Sequence, residues 1–215
     1  MRPDPLILAF DTSAAHCAAA LLSGDRILAE AWEPMEKGQA ERLLPLCEEV
    51  LAQAGQGWRD LSALAVGTGP GNFTGVRIAV AAARGLALSL GIPAIGVTRL
   101  EALAHGLPRP VTVVEDARRG EIYLQELDGG PQDARLTTLS ALPHECAGDR
   151  FTGSAAEAAA AASGGIALPP AMPLHHAIAR IAATRLGQPH PRPAPFYLRG
   201  ADAAPPSDPP PVILP

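Results

Sequence analysis

The stretch VGTGPGNFTGVRIAVAAARGLAL, from Val66 to Leu88, limits the fold more than any other part of this chain. Its first ten residues hold four glycines and a proline, and a long apolar run with Arg77 near its front follows. Glycine tolerates positive φ and lets other backbone come close, while a helix N-terminus aims unpaired amides and a positive dipole at whatever lies beyond it. Such a junction can hold a phosphate, or it can be only a tight strand-to-helix turn with Thr74 as cap. It is not a P-loop, which needs a lysine that is missing here, nor does it fit a dinucleotide fingerprint.

The run itself predicts a helix over 74–90. Gly75, Ala79, Ala83 and Ala87 recur every four residues as a stripe of small side chains that admits another helix closely. Val76, Ile78, Val80, Ala82, Leu86 and Leu88 make the same helix apolar nearly all round, so one sheet cannot cover every face. Packing inside the chain and contact with a partner both remain open at this point.

Around this junction the pattern is α/β. Residues 6–10, HCAAALL and ILAEAWE read as three strands of an antiparallel meander. From 39 to 54, Leu43, Leu46, Cys47, Val50, Leu51 and Ala54 keep helical spacing, with Pro45 requiring either a kink or a later start near Leu44. LSALAVG and PAIGV are further strands, and TRLEALAHG is a helix with a Thr98/Glu101 capping box, closed by Gly106. Meander followed by alternation predicts a lobe with a mixed sheet over 1–106. After a hinge near Leu107 to Pro110, VTVVED and EIYLQEL are strands of a smaller lobe over 107–200, with SAAEAAAAAS and HHAIARIAATRLG as helices. Ten of the chain's 23 prolines follow Gly187, which reads as an extended arm tied down near FYLR and a proline-rich tail over 201–215.

Several functions are disfavoured. A net charge of -5 argues against direct attraction to nucleic acid or anionic membranes. Cys17, Cys47 and Cys146 form no CxxC pair and read as buried thiols of a reducing, cytoplasmic compartment. The N-terminal run is a poor signal peptide, and no 18 residues are unbroken in apolarity. His16, His105, His144 and His190 are scattered, and adjacent His175 and His176 point about 100° apart on a helix, so no metal site is expected. Glu115 and Asp116 precede Arg118 and Arg119 in a turn, where charge pairing accounts for all four.

Five stretches together resemble the TsaB (YeaZ) family: ILAFDTS, ERLLPL, GPGNFTGVRIA, DARRGEIY and FYLRG, which span nearly the whole chain in family order. The resemblance implies a two-lobed actin-like ATPase (ASKHA, RNase H-like) fold. It also implies a non-catalytic, homodimer-forming partner of a TsaD-like transferase, working with a TsaE-like ATPase to place threonylcarbamoyl on adenosine 37 of tRNA, with tRNA met only through the complex. On that resemblance the partner surface falls on the two helices, at Leu43, Leu46, Cys47, Val50, Gly75, Val76, Ala79, Val80, Ala83 and Ala87. Candidate phosphate contacts are Asp11, Thr12, Ser13, Gly69, Gly71, Asn72, Thr74 and Gly75. No tightly bound cofactor is expected, with ATP or ADP and magnesium near the subunit contact as the ligand to test. Family members often carry histidine-serine where Gln39-Ala40 stands and serine at Asn72. The alternatives are a stand-alone ATPase or phosphotransferase, with Thr12 and Ser13 on phosphate and Asp11 on magnesium, and a metallopeptidase, for which no ligand pair is visible.

Overall fold

The structure, a computed structural model, describes residues 4–128, 133–142 and 150–199. The predicted tail over 201–215, His144 and Cys146 lie outside them.

The chain builds one topology twice. In the first lobe β1 (Leu6–Asp11), β2 (His16–Ser23) and β3 (Arg26–Pro34) form the meander, followed by α1 (Gln39–Gln53), β4 (Ala63–Gly67), α2 (Phe73–Leu90), β5 (Ala94–Val97) and α3 (Arg99–Ala104). The sheet order is β3-β2-β1-β4-β5, with β1 antiparallel to β2 and parallel to β4. In the second lobe β6 (Val111–Asp116), β7 (Glu121–Leu127), β8 (Arg135–Thr138), β9 (Arg150–Thr152), α4 (Ala156–Ser163), β10 (Ile166–Ala167) and α5 (Leu174–Arg185) repeat the scheme. Their order is β10-β9-β6-β7-β8, with β6 antiparallel to β7 and parallel to β9. Both sheets are mixed, as the resemblance implied.

Side chains alternate across the strands and divide the first core into two layers. Leu8 and Phe10 of β1, with Leu64 and Val66 of β4, face α1 and α2; Ile7, Ala9, Ala63 and Ala65 face α5. Strands buried on both faces explain why β1 and β4 read as continuous apolar runs.

The boundary near residue 107 separates the sheets but not the helices. Helix α5, from the second half of the chain, covers the first sheet through Ala177, Ile178, Ile181 and Ala182. Helix α3, from the first half, packs Leu100, Leu103 and Ala104 on Val111 and Val113 of the second sheet. Each lobe is therefore completed by the other's last helix.

One open local expectation is resolved and another changes. Helix α1 starts at Gln39 and carries Pro45 inside it. Pro45 is exposed, so the carbonyl it leaves without a donor faces water. The cap of α2 is Asn72 rather than Thr74: its Oδ1 accepts from the amides of Thr74 (3.0 Å) and Gly75 (3.1 Å). The Thr98/Glu101 capping box and the left-handed Gly106 stand as predicted.

Helix α2 is long and apolar enough by length and composition to cross a membrane. It instead lies in the helical layer over the first sheet, with Val76, Ala79, Val80 and Ala83 in the core.

Candidate functional site

The end of β1 and the glycine loop are locked together by close contacts that only glycine allows. A methyl group on Gly67 would lie 1.9 Å from Asp11 Oδ1, one on Gly71 2.2 Å from the Ser13 carbonyl oxygen, and one on Gly75 1.9 Å from that of Thr12. The Asn72 amide donates to the Ser13 carbonyl (2.6 Å), and the Thr12 hydroxyl donates to that of Gly75 (2.6 Å). These glycines exist for close approach between two chain segments, which the composition of the loop alone did not reveal.

Asp11 is fully buried behind this junction. Its Oδ2 accepts from the Ser13 amide (3.1 Å) and hydroxyl (2.9 Å) and lies 2.7 Å from His16 Nε2, while Oδ1 is buried with no hydrogen-bond partner. Burial would raise its pKa, but the His16 hydrogen bond and charge, the Arg99 charge and the Ser13 hydroxyl outweigh burial and hold it below the ordinary 3.8. A carboxyl whose native pKa lies below its unfolded value stabilises the fold above that unfolded value, and the contribution is lost as pH falls through the native pKa. Acidification below about pH 4 should therefore lower the urea midpoint of the protein, and Asp11→Asn should flatten that acid limb. Equal acid limbs in the two proteins would mean that Asp11 contributes nothing to it.

In front of the junction a cleft of about 610 Å³ opens between the lobes. Of the eight predicted phosphate contacts, Ser13, Gly71 and Asn72 line it. Asp11, Thr12 and Gly75 are buried behind it, and neither Gly69 nor Thr74 is part of its lining.

Sequence reasoning missed the cationic side of the cleft. Lys37, Arg99, Arg118, Arg119 and Arg199 line it, against Glu36, Glu115 and Asp116. Arg118, Arg119 and Gly120 have φ of 64°, 55° and 78°, a run of three left-handed residues that turns β6 into β7. The predicted mutual pairing of the four charges in this turn is corrected for Glu115: it binds Arg99 Nε of the first lobe at 2.6 Å and, within its own lobe, the Ser154 amide at 2.6 Å. Asp116 does stay in the turn, accepting from the Arg118 amide at 2.8 Å.

The arm after α5 straps the cleft. The Phe196 amide donates to the Thr68 carbonyl (2.8 Å), the Tyr197 hydroxyl accepts from Arg77 Nε (3.0 Å), and Arg199 donates to the Ala117 carbonyl (2.9 Å) and binds Glu121. The arm expected to be tied down near FYLR thus spans from the first lobe to the second.

The predicted partner surface is also corrected. Leu43, Leu46, Cys47, Val50, Gly75, Val76, Ala79, Val80 and Ala83 are buried inside this chain, and Ala87 is half-buried against the same core. The small stripe is how α2 lies close to its own β1, β4 and α1. Cys17 and Cys47 are free thiols, with burial pushing Cys17 up to about 11 and Cys47 higher still, so neither is a nucleophile.

Comparison with known proteins places this geometry. Residues 33–147 match the family model for TsaD, tRNA N6-adenosine threonylcarbamoyltransferase. TsaB of Escherichia coli, the tRNA threonylcarbamoyladenosine biosynthesis protein, is 40% identical over 125 residues, covering 56% of this chain and 54% of that one. The chain thus spans about half the length of such curated relatives. The uncharacterized Rv3421c of Mycobacterium tuberculosis is 34% identical over 221 residues, 93% of this chain and 94% of its own. Among solved structures, YeaZ from Pseudomonas aeruginosa superposes with a TM-score of 0.71 at 28% identity, over 90% of this chain and all of that one. On this duplicated fold, and with these relatives, the chain belongs to the TsaB (YeaZ) family.

Proposed function

We propose that this protein is the non-catalytic partner subunit that binds and activates a TsaD-like threonylcarbamoyltransferase in making N6-threonylcarbamoyladenosine at position 37 of tRNA, in the cytoplasm. The observation that carries the reading is the outer face of α2. Only five of its eighteen residues are buried, and Ala81, Gly85 and Leu88 are exposed, with Ile78, Ala82 and Leu86 partly so. Leu88 is 80% exposed, and α1 beside it leaves Leu44 open as well. An apolar face of this kind is a surface for association. It accommodates a second copy of this chain or the transferase, with a TsaE-like ATPase joining the complex and tRNA met only through it.

Support for a non-catalytic role comes from Asp11. Its Oδ2 is held by Ser13 and His16, and the whole side chain is buried behind the cleft wall rather than lining the cleft, where an actin-like ATPase would need it on a metal. A phosphate of ATP or ADP in the cleft would meet Ser13, the loop at Gly71 and Asn72, and the arginine-bearing turn.

The test is the mass in solution of the purified protein, alone and mixed with the TsaD-like protein of the same organism. Wild type should be a dimer that exchanges into a heterodimer and supports tRNA modification in the reconstituted system. Ala81→Arg should block both associations while changing folding stability by no more than about 0.5 kcal/mol, as an exposed substitution does. Ala83→Arg is the wrong probe, because Ala83 is fully buried and the arginine would disrupt the core. A wild-type monomer indifferent to the transferase, or an Ala81→Arg variant that assembles normally, would overturn the proposal.

A further inference from the structure

Glu30 stands on β3, an edge strand of the first sheet, and His175 and His176 open α5, 145 and 146 residues further along the chain. Helical spacing predicted that the two imidazoles would diverge. They do not: both Nε2 atoms reach the same Glu30 oxygen, Oε2, with His175 at 2.9 Å. The rings meet edge to face, with centroids 4.7 Å apart and planes at 79°. The pair lies in the first turn of α5, just after Pro173.

All three ligand atoms lie within 4.8 Å of one another. His175 is 4% exposed, so a polar ring has been placed almost wholly inside the protein at this point. Burial lowers its pKa and so favours the neutral imidazole, the form that ligates, while the His175 hydrogen bond lowers that of Glu30. Beside the cluster lies a cavity of about 520 Å³, whose walls include Trp32, Leu174 and His16.

We propose that Glu30, His175 and His176 form a binding site for a divalent transition-metal ion, zinc foremost, with the remaining coordination position open to the adjacent cavity. Two imidazoles and one carboxylate are a borderline donor set that suits zinc, whereas magnesium and calcium prefer all-oxygen shells. The ion's structural consequence follows from the topology: it clamps a helix from the end of the chain onto a strand from its beginning. Because the ligands converge only in the folded state, binding stabilises that state.

The experiment uses chelator-stripped full-length protein in a Cys146→Ser background, which keeps that thiol from supplying a ligand. Zinc is titrated in competition with a chromophoric chelator, and thermal unfolding is followed with zinc, with magnesium and with neither. One equivalent of zinc should bind and raise the melting temperature, with no response to magnesium. Loss of an outer-shell contact alone weakens metal sites by about 10–100-fold, so Glu30→Gln and His176→Ala should each weaken binding by at least about tenfold and abolish the zinc-dependent rise. Both positions lie outside the core, and unchanged circular dichroism of the metal-free variants will establish that they fold. Absence of stoichiometric zinc binding, or zinc binding that survives both substitutions, would overturn the site.

Discussion

Gly75→Ala should destabilise the protein by about 3 kcal/mol, whereas Gly85→Ala, ten residues along the same helix, should stabilise it by about 0.5–1 kcal/mol. Helix propensity predicts the same gain at both positions, because glycine costs backbone entropy that alanine does not. Surroundings reverse the sign at one of them. A methyl group on Gly75 would sit 1.9 Å from the Thr12 carbonyl oxygen, and that oxygen belongs to backbone held in place by the Thr12 and Asn72 hydrogen bonds. At Gly85 an added methyl group meets nothing within 4 Å. For a domain of this size about 3 kcal/mol corresponds to roughly 6–12 °C in melting temperature. Thermal unfolding of the two variants beside wild type decides the matter. If Gly75→Ala melts at or above wild type, the junction between the loop and the end of β1 yields easily and is not a rigid wall for the cleft.

The same pair of glycines marks how far sequence reasoning reached. Periodicity placed the strands of the first lobe and both long helices, because β1 and β4 are buried on two faces and α1 has one apolar side. It could not say what covers the small stripe of α2, since an apolar face looks alike whether its neighbour is in the same chain or another. The stripe at Gly75, Ala79 and Ala83 proved to be inward, and the face left open runs through Ala81, Gly85 and Leu88. Strands β8, β9 and β10 have four, three and two residues, too few to display a period, and are absent from the strands expected on sequence. The exchange of α3 and α5 between lobes has no local signature at all. His175 and His176 converge through tertiary placement against β3, which an ideal helical angle cannot foresee. At the cleft, the glycine motif marked a loop that lines it at Gly71 and Asn72, whereas Asp11 and Thr12 brace that loop from behind. The arginines opposite were visible as residues but not as a wall, because Arg99, Arg118 and Arg199 come from three distant segments.

Glu115→Ala should cost about 3–5 kcal/mol, or upwards of roughly 6 °C in melting temperature, a large effect for one side chain in the cleft wall. The reason lies in what it would leave behind. Glu115 is 7% exposed; its Oε2 takes the Arg99 Nε at 2.6 Å, and its Oε1 takes the Ser154 amide at 2.6 Å. Burial disfavours the Arg99 charge, and the Glu115 and Asp11 carboxylates more than offset it, raising the pKa of Arg99. Arg99 Nη1 is already buried without a hydrogen-bond partner, so losing Glu115 removes the acceptor of Nε as well. Removing one partner of a buried pair strands the other charge, which costs far more than the pair contributes when intact. Glu115→Gln should fall between wild type and alanine, since an amide oxygen can still accept from Ser154 while the charge is lost. Replacing both residues, as Arg99→Met with Glu115→Met, should recover much of the loss because no charge is then left unpaired. Urea unfolding of the three variants reads this order directly. A Glu115→Ala cost below about 1 kcal/mol would place the pair with surface ion pairs. The two lobes would then be held mainly by their exchanged helices and the arm at Tyr197 and Arg199, rather than by charge across the cleft.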